Sequence, residues 1–199
     1  MTTITSTGIA SRTMMGLAFG VSMMTLFGAA WLAWGFQTMS TDSLWLMAAI
    51  TLGIIALLAA AFGLFRIGRR AGKRSAPLTS EEKRVQGKMA QMFGLIFGGE
   101  ALLIFLAVRA LNHFLLETYI STAVAVIVGL HFLPLARLYR FPMYYVVGGV
   151  MIVEGLVFLA LPSPVREIAI ELSMGTTLWL TCVLVLRKGF LLAGFREQA

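Results

Sequence analysis

Long apolar runs alternate with short polar segments along the whole sequence. There are six such runs, and a helix needs about twenty apolar residues to cross roughly 30 Å of hydrocarbon. The pattern therefore predicts an all-α, polytopic membrane bundle of six transmembrane helices, forming one membrane domain over residues 1–199. The predicted spans are residues 13–36, 44–65, 88–109, 119–138, 142–161 and 165–186.

Composition supports the same class. Hydrophobic residues make up 59% of the chain and charged residues 13%, whereas soluble domains are about 45–50% apolar and about 25% charged. The first apolar run is too long for the hydrophobic region of a signal peptide, and a second run follows it closely. It is therefore expected to be retained as the first helix.

The basic residues lie mostly on one side of the predicted bundle. Residues 66–88 contain eight of the sixteen Lys and Arg, and fourteen of the sixteen fall in segments on the same side as this loop. Because cytoplasmic loops are rich in Lys and Arg, the loop at 66–87 and both termini are predicted to be cytoplasmic. The expected location is the plasma membrane, as a bacterial inner-membrane protein.

The formal charge of +7 changes the expected partners. Basic residues beside spans contact the lipid bilayer, here the anionic lipid head groups at the 66–87 loop. These contacts account for the positive charge, so no nucleic-acid partner is expected. A second interpretation is that the loop recognises one particular acidic lipid or a protein partner. Within it, Thr79 and Glu82 have capping-box spacing, which predicts a helix from Ser80 into span three.

Spans one, three and five can be aligned without gaps. The alignment superposes Gly16, Gly94 and Gly148, and six residues later Ser22, Glu100 and Glu154. This suggests three tandem two-helix hairpins that enter from the same side, a parallel repeat about the membrane normal. The glycines would then allow close helix packing. The alternative is that they are ordinary packing glycines aligned by chance.

Two of the aligned residues are carboxylic acids inside apolar spans. Glu100 lies twelve residues after Lys88 and Glu154 twelve after Pro142, which places each about 18 Å along its helix and near the bilayer midplane. Ionisable groups at this depth are expensive and usually serve a proton, ion or substrate pathway. We expect the two to share one titrating site; the alternative is that each only holds helices together.

Three other polar residues are candidates for the same pathway. Ser22 occupies the third aligned position, His131 lies closer to the basic side and is suited to proton relay, and Glu171 lies in the first turns of span six. Arg166, near the start of span six, is expected to extend its guanidinium group to the interface.

No enzyme motif stands beside these residues. Cys182 is the single cysteine, and no metal-binding histidine pair, nucleophile motif or phosphate-binding loop occurs. The expectation is no cofactor, no metal and no enzymatic activity. The favoured interpretation is a transporter or channel for a proton or small solute, with oligomers allowed. The second is a membrane scaffold or accessory subunit, and the third is an enzyme acting on a lipid or quinone.

Overall fold

A computed structural model describes residues 6–40, 43–73 and 79–194. Within these ranges the chain forms six α-helices and no strand. The helices are α1 (Ser6–Thr38), α2 (Leu44–Lys73), α3 (Ser80–His113), α4 (Ile120–Tyr139), α5 (Met143–Val157) and α6 (Val165–Gly194). Short 3-10 turns at Glu117–Tyr119 and Phe158–Ala160 precede α4 and follow α5.

The predicted six-helix, all-α bundle is confirmed. Each of the six helices contains a stretch that is long and apolar enough to cross a membrane, as expected of a multi-pass membrane protein. The helix that contains span three begins at Ser80, as the capping-box spacing predicts. The backbone N–H of Lys83 donates to the carbonyl of Thr79 at 3.1 Å, so Thr79 stands at the N-cap position.

The chain divides into two compact units. Unit 1 contains α1 up to Ala33, all of α2, and α6 from Leu178. Unit 2 contains α1 from Trp34, helices α3 to α5, and α6 up to Thr177. The assignment of all 199 residues to one membrane domain stays a prediction.

In unit 1, Thr25 joins α1 to α6. Its hydroxyl donates to the carbonyl of Val21 at 2.8 Å and lies 3.6 Å from the sulfur of Cys182. The indole N–H of Trp179 donates to the Thr25 carbonyl at 3.1 Å. Thr25 and Cys182 are both fully buried, so these polar contacts lie in the core of the unit.

In unit 2, glycines bring α4 and α5 into close contact. A Cβ atom added at Gly148 would lie 2.6 Å from the carbonyl oxygen of Gly129. One added at Gly155 would lie 2.9 Å from a methyl group of Val126. Small residues at such positions let two helix backbones approach closely, which explains the tight α4–α5 hairpin. Helix α3 packs on α4 through aromatic contacts, among them Phe93 with Tyr139.

The three aligned glycines do not share this packing role. Gly148 contacts α4, whereas a Cβ added at Gly16 or Gly94 would meet nothing within 4 Å in the described part of the chain. Close helix packing is therefore not a role that Gly16, Gly94 and Gly148 have in common. The threefold repeat itself stays a prediction.

Candidate functional site

Glu100 lies beside His131, and the pair joins α3 to α4. One carboxyl oxygen of Glu100, Oε2, is 3.1 Å from Nδ1 of His131, and the side chains are 12% and 8% exposed. Both residues lie inside segments that are long and apolar enough to cross a membrane. The distance suits a carboxyl–imidazole pair, although the angles at Nδ1 are not those of a hydrogen bond.

The sequence of α3 explains why Glu100 meets this histidine. Phe93, Phe97 and Glu100 follow one another at spacings of four and three residues, which places them on one face of the helix. Phe97 and Phe132 each present an edge-to-face contact to the His131 ring, with ring centroids 6.0 Å apart. Two aromatic rings therefore flank the imidazole, and the Glu100 carboxyl group is its nearby ionisable partner.

Glu154 takes a different partner. The hydroxyl of Thr177 on α6 donates to its Oε1 atom at 3.1 Å. The other oxygen, Oε2, is buried and has no hydrogen-bond partner among the described residues. This contact joins α5 to α6. No hydrogen bond or ion pair within residues 6–40, 43–73 and 79–194 links Glu154 to Glu100, so their sharing of one site stays a prediction.

Glu171 is the most deeply buried of the candidate carboxylic acids, with 1% of its surface exposed. Its Oε1 accepts a hydrogen bond from the Ser121 hydroxyl at 2.8 Å, and its Oε2 accepts one from the Thr38 hydroxyl at 2.7 Å. Glu171 lies on α6 and Ser121 on α4, and Thr38 is the last residue of α1. The carboxyl group thus ties three helices of unit 2 together, with one hydroxyl donor for each oxygen.

Arg166 is buried, with 6% of its surface exposed, instead of extending to the interface. Its Nη2 donates to the carbonyl of Thr118 at 3.2 Å and to Oε1 of Glu167 at 3.3 Å. The guanidinium carbon also lies 4.2 Å from the centre of the Tyr119 ring. The cation thus has a carboxylate, a carbonyl and an aromatic face as partners, and these offset part of the cost of its burial.

Ser22 lies in unit 1 and binds its own helix. Its hydroxyl donates to the carbonyl of Ala18 at 3.0 Å, a common arrangement for serine inside a helix. Of the five predicted site residues, the structure brings together Glu100 and His131. Glu154 and Glu171 each have separate hydroxyl partners.

Sequence reasoning missed Thr38 and Ser121, which hold Glu171. Ser121 lies in the first turn of predicted span four, Thr38 lies two residues after the end of predicted span one, and Glu171 lies near the start of span six. Their common position near span ends is the sequence feature that could have indicated a contact between these hydroxyl groups and Glu171. Among the described residues, no group of three His, Cys, Asp or Glu side chains is placed to hold a metal ion.

Part of the chain matches the model of a protein family. The family described as "Family of unknown function (DUF7010)" matches residues 76–188, more than half of the 199 residues. This range includes Glu100, His131, Glu154 and Glu171. No curated protein and no solved structure matches the chain.

Proposed function

The chain belongs to DUF7010, a family of unknown function, and we propose that it carries protons across the plasma membrane. The observation that supports this proposal is the contact between Glu100 and His131. A carboxyl group and an imidazole 3.1 Å apart can hold and exchange a proton, since each is an acceptor in one protonation state and a donor in the other.

The position of the pair in the chain favours function over mere packing. Glu100 lies near the middle of the apolar segment Lys83–His113, and His131 lies within Glu117–Tyr139. An ionisable residue in hydrocarbon costs several kcal/mol if it is charged and unpaired, and such residues usually mark proton, ion or substrate routes. A proton that enters this pair from one side and leaves it toward the other would cross the bilayer.

The charge pattern supplies an orientation for this proposal. The basic segment before α3 would lie in the cytoplasm beside anionic lipid head groups. His131 is closer than Glu100 to a basic end of its own helix, since Arg137 follows it by six residues. His131 would therefore exchange protons with the cytoplasmic side and Glu100 with the middle of the bundle.

The test is proton flux in liposomes that contain the purified protein and a trapped pH-sensitive dye. With an imposed pH gradient and valinomycin to compensate charge, the parent protein should dissipate the gradient faster than empty liposomes. Glu100→Gln and His131→Gln keep size and polarity but remove titration, and each should reduce the added rate to the level of empty liposomes. Glu81→Gln is the matched control, because this glutamate is 76% exposed at its side chain.

A scaffold or accessory subunit is the second candidate function. It is favoured by Glu154 and Glu171, each of which accepts hydroxyl hydrogen bonds from neighbouring helices as a structural tie would. In a scaffold, Glu100→Gln should behave like the parent protein, while Glu100→Leu should lower stability. Parent liposomes with no more flux than empty ones, together with that stability pattern, would favour the scaffold over the proton carrier.

A further inference from the structure

Nδ1 of His131 is a buried nitrogen atom without a hydrogen-bond partner in the part of the chain that the structure describes. The His131 side chain is 8% exposed, and Oε2 of Glu100 lies 3.1 Å from Nδ1. A buried polar atom without a hydrogen bond is costly unless another molecule supplies one. We propose that the Glu100–His131 pair binds the ammonium group of a lipophilic amine in exchange for a proton.

The two neighbouring atoms have the chemistry that an ammonium group needs. A carboxylate oxygen accepts hydrogen bonds, and one nitrogen of a neutral imidazole is also an acceptor. With the ring proton on Nε2, Nδ1 and Oε2 can both accept hydrogen bonds from the same cation. The carboxylate of Glu100 balances the single positive charge, and hydrogen bonds between charged groups are stronger than those between neutral ones.

Aromatic rings beside the pair suit the apolar part of such an amine. The ring of Phe97 contacts that of His131 edge-to-face and is stacked on Phe93 with centroids 6.0 Å apart. Phe93 in turn contacts Tyr139. Phe97 and Tyr139 are 36% and 44% exposed, so parts of both rings are open to a ligand. Ring faces attract a cation and also bury apolar groups.

The position of α3 gives a solute dissolved in the bilayer access to the pair. Helix α3 packs on α4 and on the 3-10 turn at Glu117–Tyr119, and no residue in its most apolar 18-residue segment is buried within the described structure. The Glu100 side chain itself is 12% exposed. A lipophilic amine could therefore reach the pair from the lipid past Phe97, whereas a strongly hydrated inorganic cation would have to lose its water.

The amine and the proton compete for Glu100. When the ammonium group binds, the carboxyl O–H bond breaks and the proton leaves, so the charge of the site is unchanged. His131 on α4 is the titratable side chain that faces Glu100, while the titratable groups of Glu117–Tyr119 lie beyond the C-terminal end of α3. The inference rests on the proposed function, because the proton that the amine displaces is the one that the pair carries.

The test is equilibrium dialysis of radiolabelled phenylbutylamine against the purified full chain in lipid nanodiscs, with empty nanodiscs to subtract partition into lipid. Phenylbutanol and phenylbutyltrimethylammonium have the same apolar part but lack the charge and the N–H groups, respectively. The amine should show saturable binding at least about tenfold tighter than the alcohol and about threefold or more tighter than the trimethylammonium ion. Its binding should tighten from about pH 6 to about pH 9, where an alkylamine stays protonated while the competing proton is removed from Glu100.

Three substitutions examine the parts of the site. Glu100→Gln removes the charge and should weaken amine binding at least about tenfold and abolish its dependence on pH. His131→Phe keeps an aromatic ring but removes the acceptor, and Phe97→Leu keeps apolar volume but removes the ring. Each should weaken amine binding about threefold to tenfold.

The matched control is Phe105→Leu. Phe105 is also an exposed ring on α3, at 60%, but five residues advance a helix by about 500° and place it away from Glu100, so amine binding should be unchanged. If Glu100→Gln does not fold, the three ligands compared on the parent protein and on Phe97→Leu decide the question. Equal binding of amine and alcohol, equal binding of amine and trimethylammonium ion, or unchanged amine binding in Glu100→Gln would each overturn the inference.

Proton flux in liposomes without amine tests the proposed function by itself. Flux from the parent protein without amine-selective binding would overturn the amine site alone. Amine-selective binding that depends on Glu100, without flux above that of empty liposomes, would overturn the proton carrier and leave the amine site.

Discussion

Gly148 is a residue at which the packing of α4 on α5 leaves no space for a side chain. An added Cβ would lie 2.6 Å from the Gly129 carbonyl oxygen and 3.1 Å from Cβ of Phe132, and neither atom can move without shifting a helix backbone. We expect Gly148→Ala to lower the free energy of unfolding by about 1–3 kcal/mol, the usual cost of overpacking. Unfolding in a mixed-micelle SDS titration measures this change.

The neighbouring glycine is the control for that prediction. A Cβ at Gly149 would meet nothing within 4 Å in the described ranges, so Gly149→Ala should leave the free energy of unfolding unchanged or slightly higher. Equal effects of the two substitutions would contradict the packing explanation, because backbone flexibility and helix propensity change alike at both positions.

Individual site residues could be identified from the sequence more readily than their partners. Glu100 and His131 stand out because ionisable side chains are rare in apolar spans. Their contact could not be predicted, because it depends on which face of α4 packs against α3. The hydroxyls of Ser121 and Thr38 were missed for a related reason, since serine and threonine are common in membrane helices and gain a role only from the acid they meet.

At the scale of the helices, Gly53 allows α2 to pack on α6 in unit 1. An added Cβ at this position would collide with the six-membered ring of Trp179. Gly53→Ala should therefore lower the unfolding temperature, whereas Gly63→Ala should not, since an added Cβ there has its nearest neighbour, an atom of Phe190, 4.0 Å away. Thermal unfolding in detergent, followed by circular dichroism, distinguishes the two variants.

A double substitution tests whether the Trp179 ring is the cause. In a Trp179→Ala background the obstacle is removed, so Gly53→Ala should cost much less than it does in the parent protein. Such a departure from additivity is expected for residues in direct contact. Additive effects of the two changes would show that Gly53 matters for another reason.

Helix limits were predictable to different degrees, for physical reasons. The start of α3 at Ser80 agrees with the capping-box spacing of Thr79 and Glu82, which the sequence displays directly. The predicted end of span five agrees less well with the structure. Span five was expected to reach residue 161, but α5 ends at Val157 and a 3-10 turn continues to Ala160, because hydropathy does not distinguish α-helical from 3-10 geometry in an apolar run.

For the whole molecule, the number of helices was predictable because bilayer thickness fixes the length of an apolar helix. The division into two units was not. Helices α1 and α6 each contribute to both units, and such a division depends on contacts between residues distant in sequence, such as Thr25 with Cys182. Hydropathy describes each span separately and contains no information about these contacts.

Topology is the property of the whole molecule for which the sequence makes the strongest untested prediction. Fourteen of sixteen Lys and Arg fall on the side of the basic loop, and short loops with such an excess remain in the cytoplasm. In a Cys182→Ala background, a cysteine at Ser163 or Asn112 should react with a membrane-impermeant maleimide in intact cells. A cysteine at Ser80 should react only after the membrane is permeabilised, which also controls for its accessibility. Labelling of Ser80→Cys in intact cells would show that the predicted topology is inverted. His131 would then be expected to receive protons from the opposite side of the membrane.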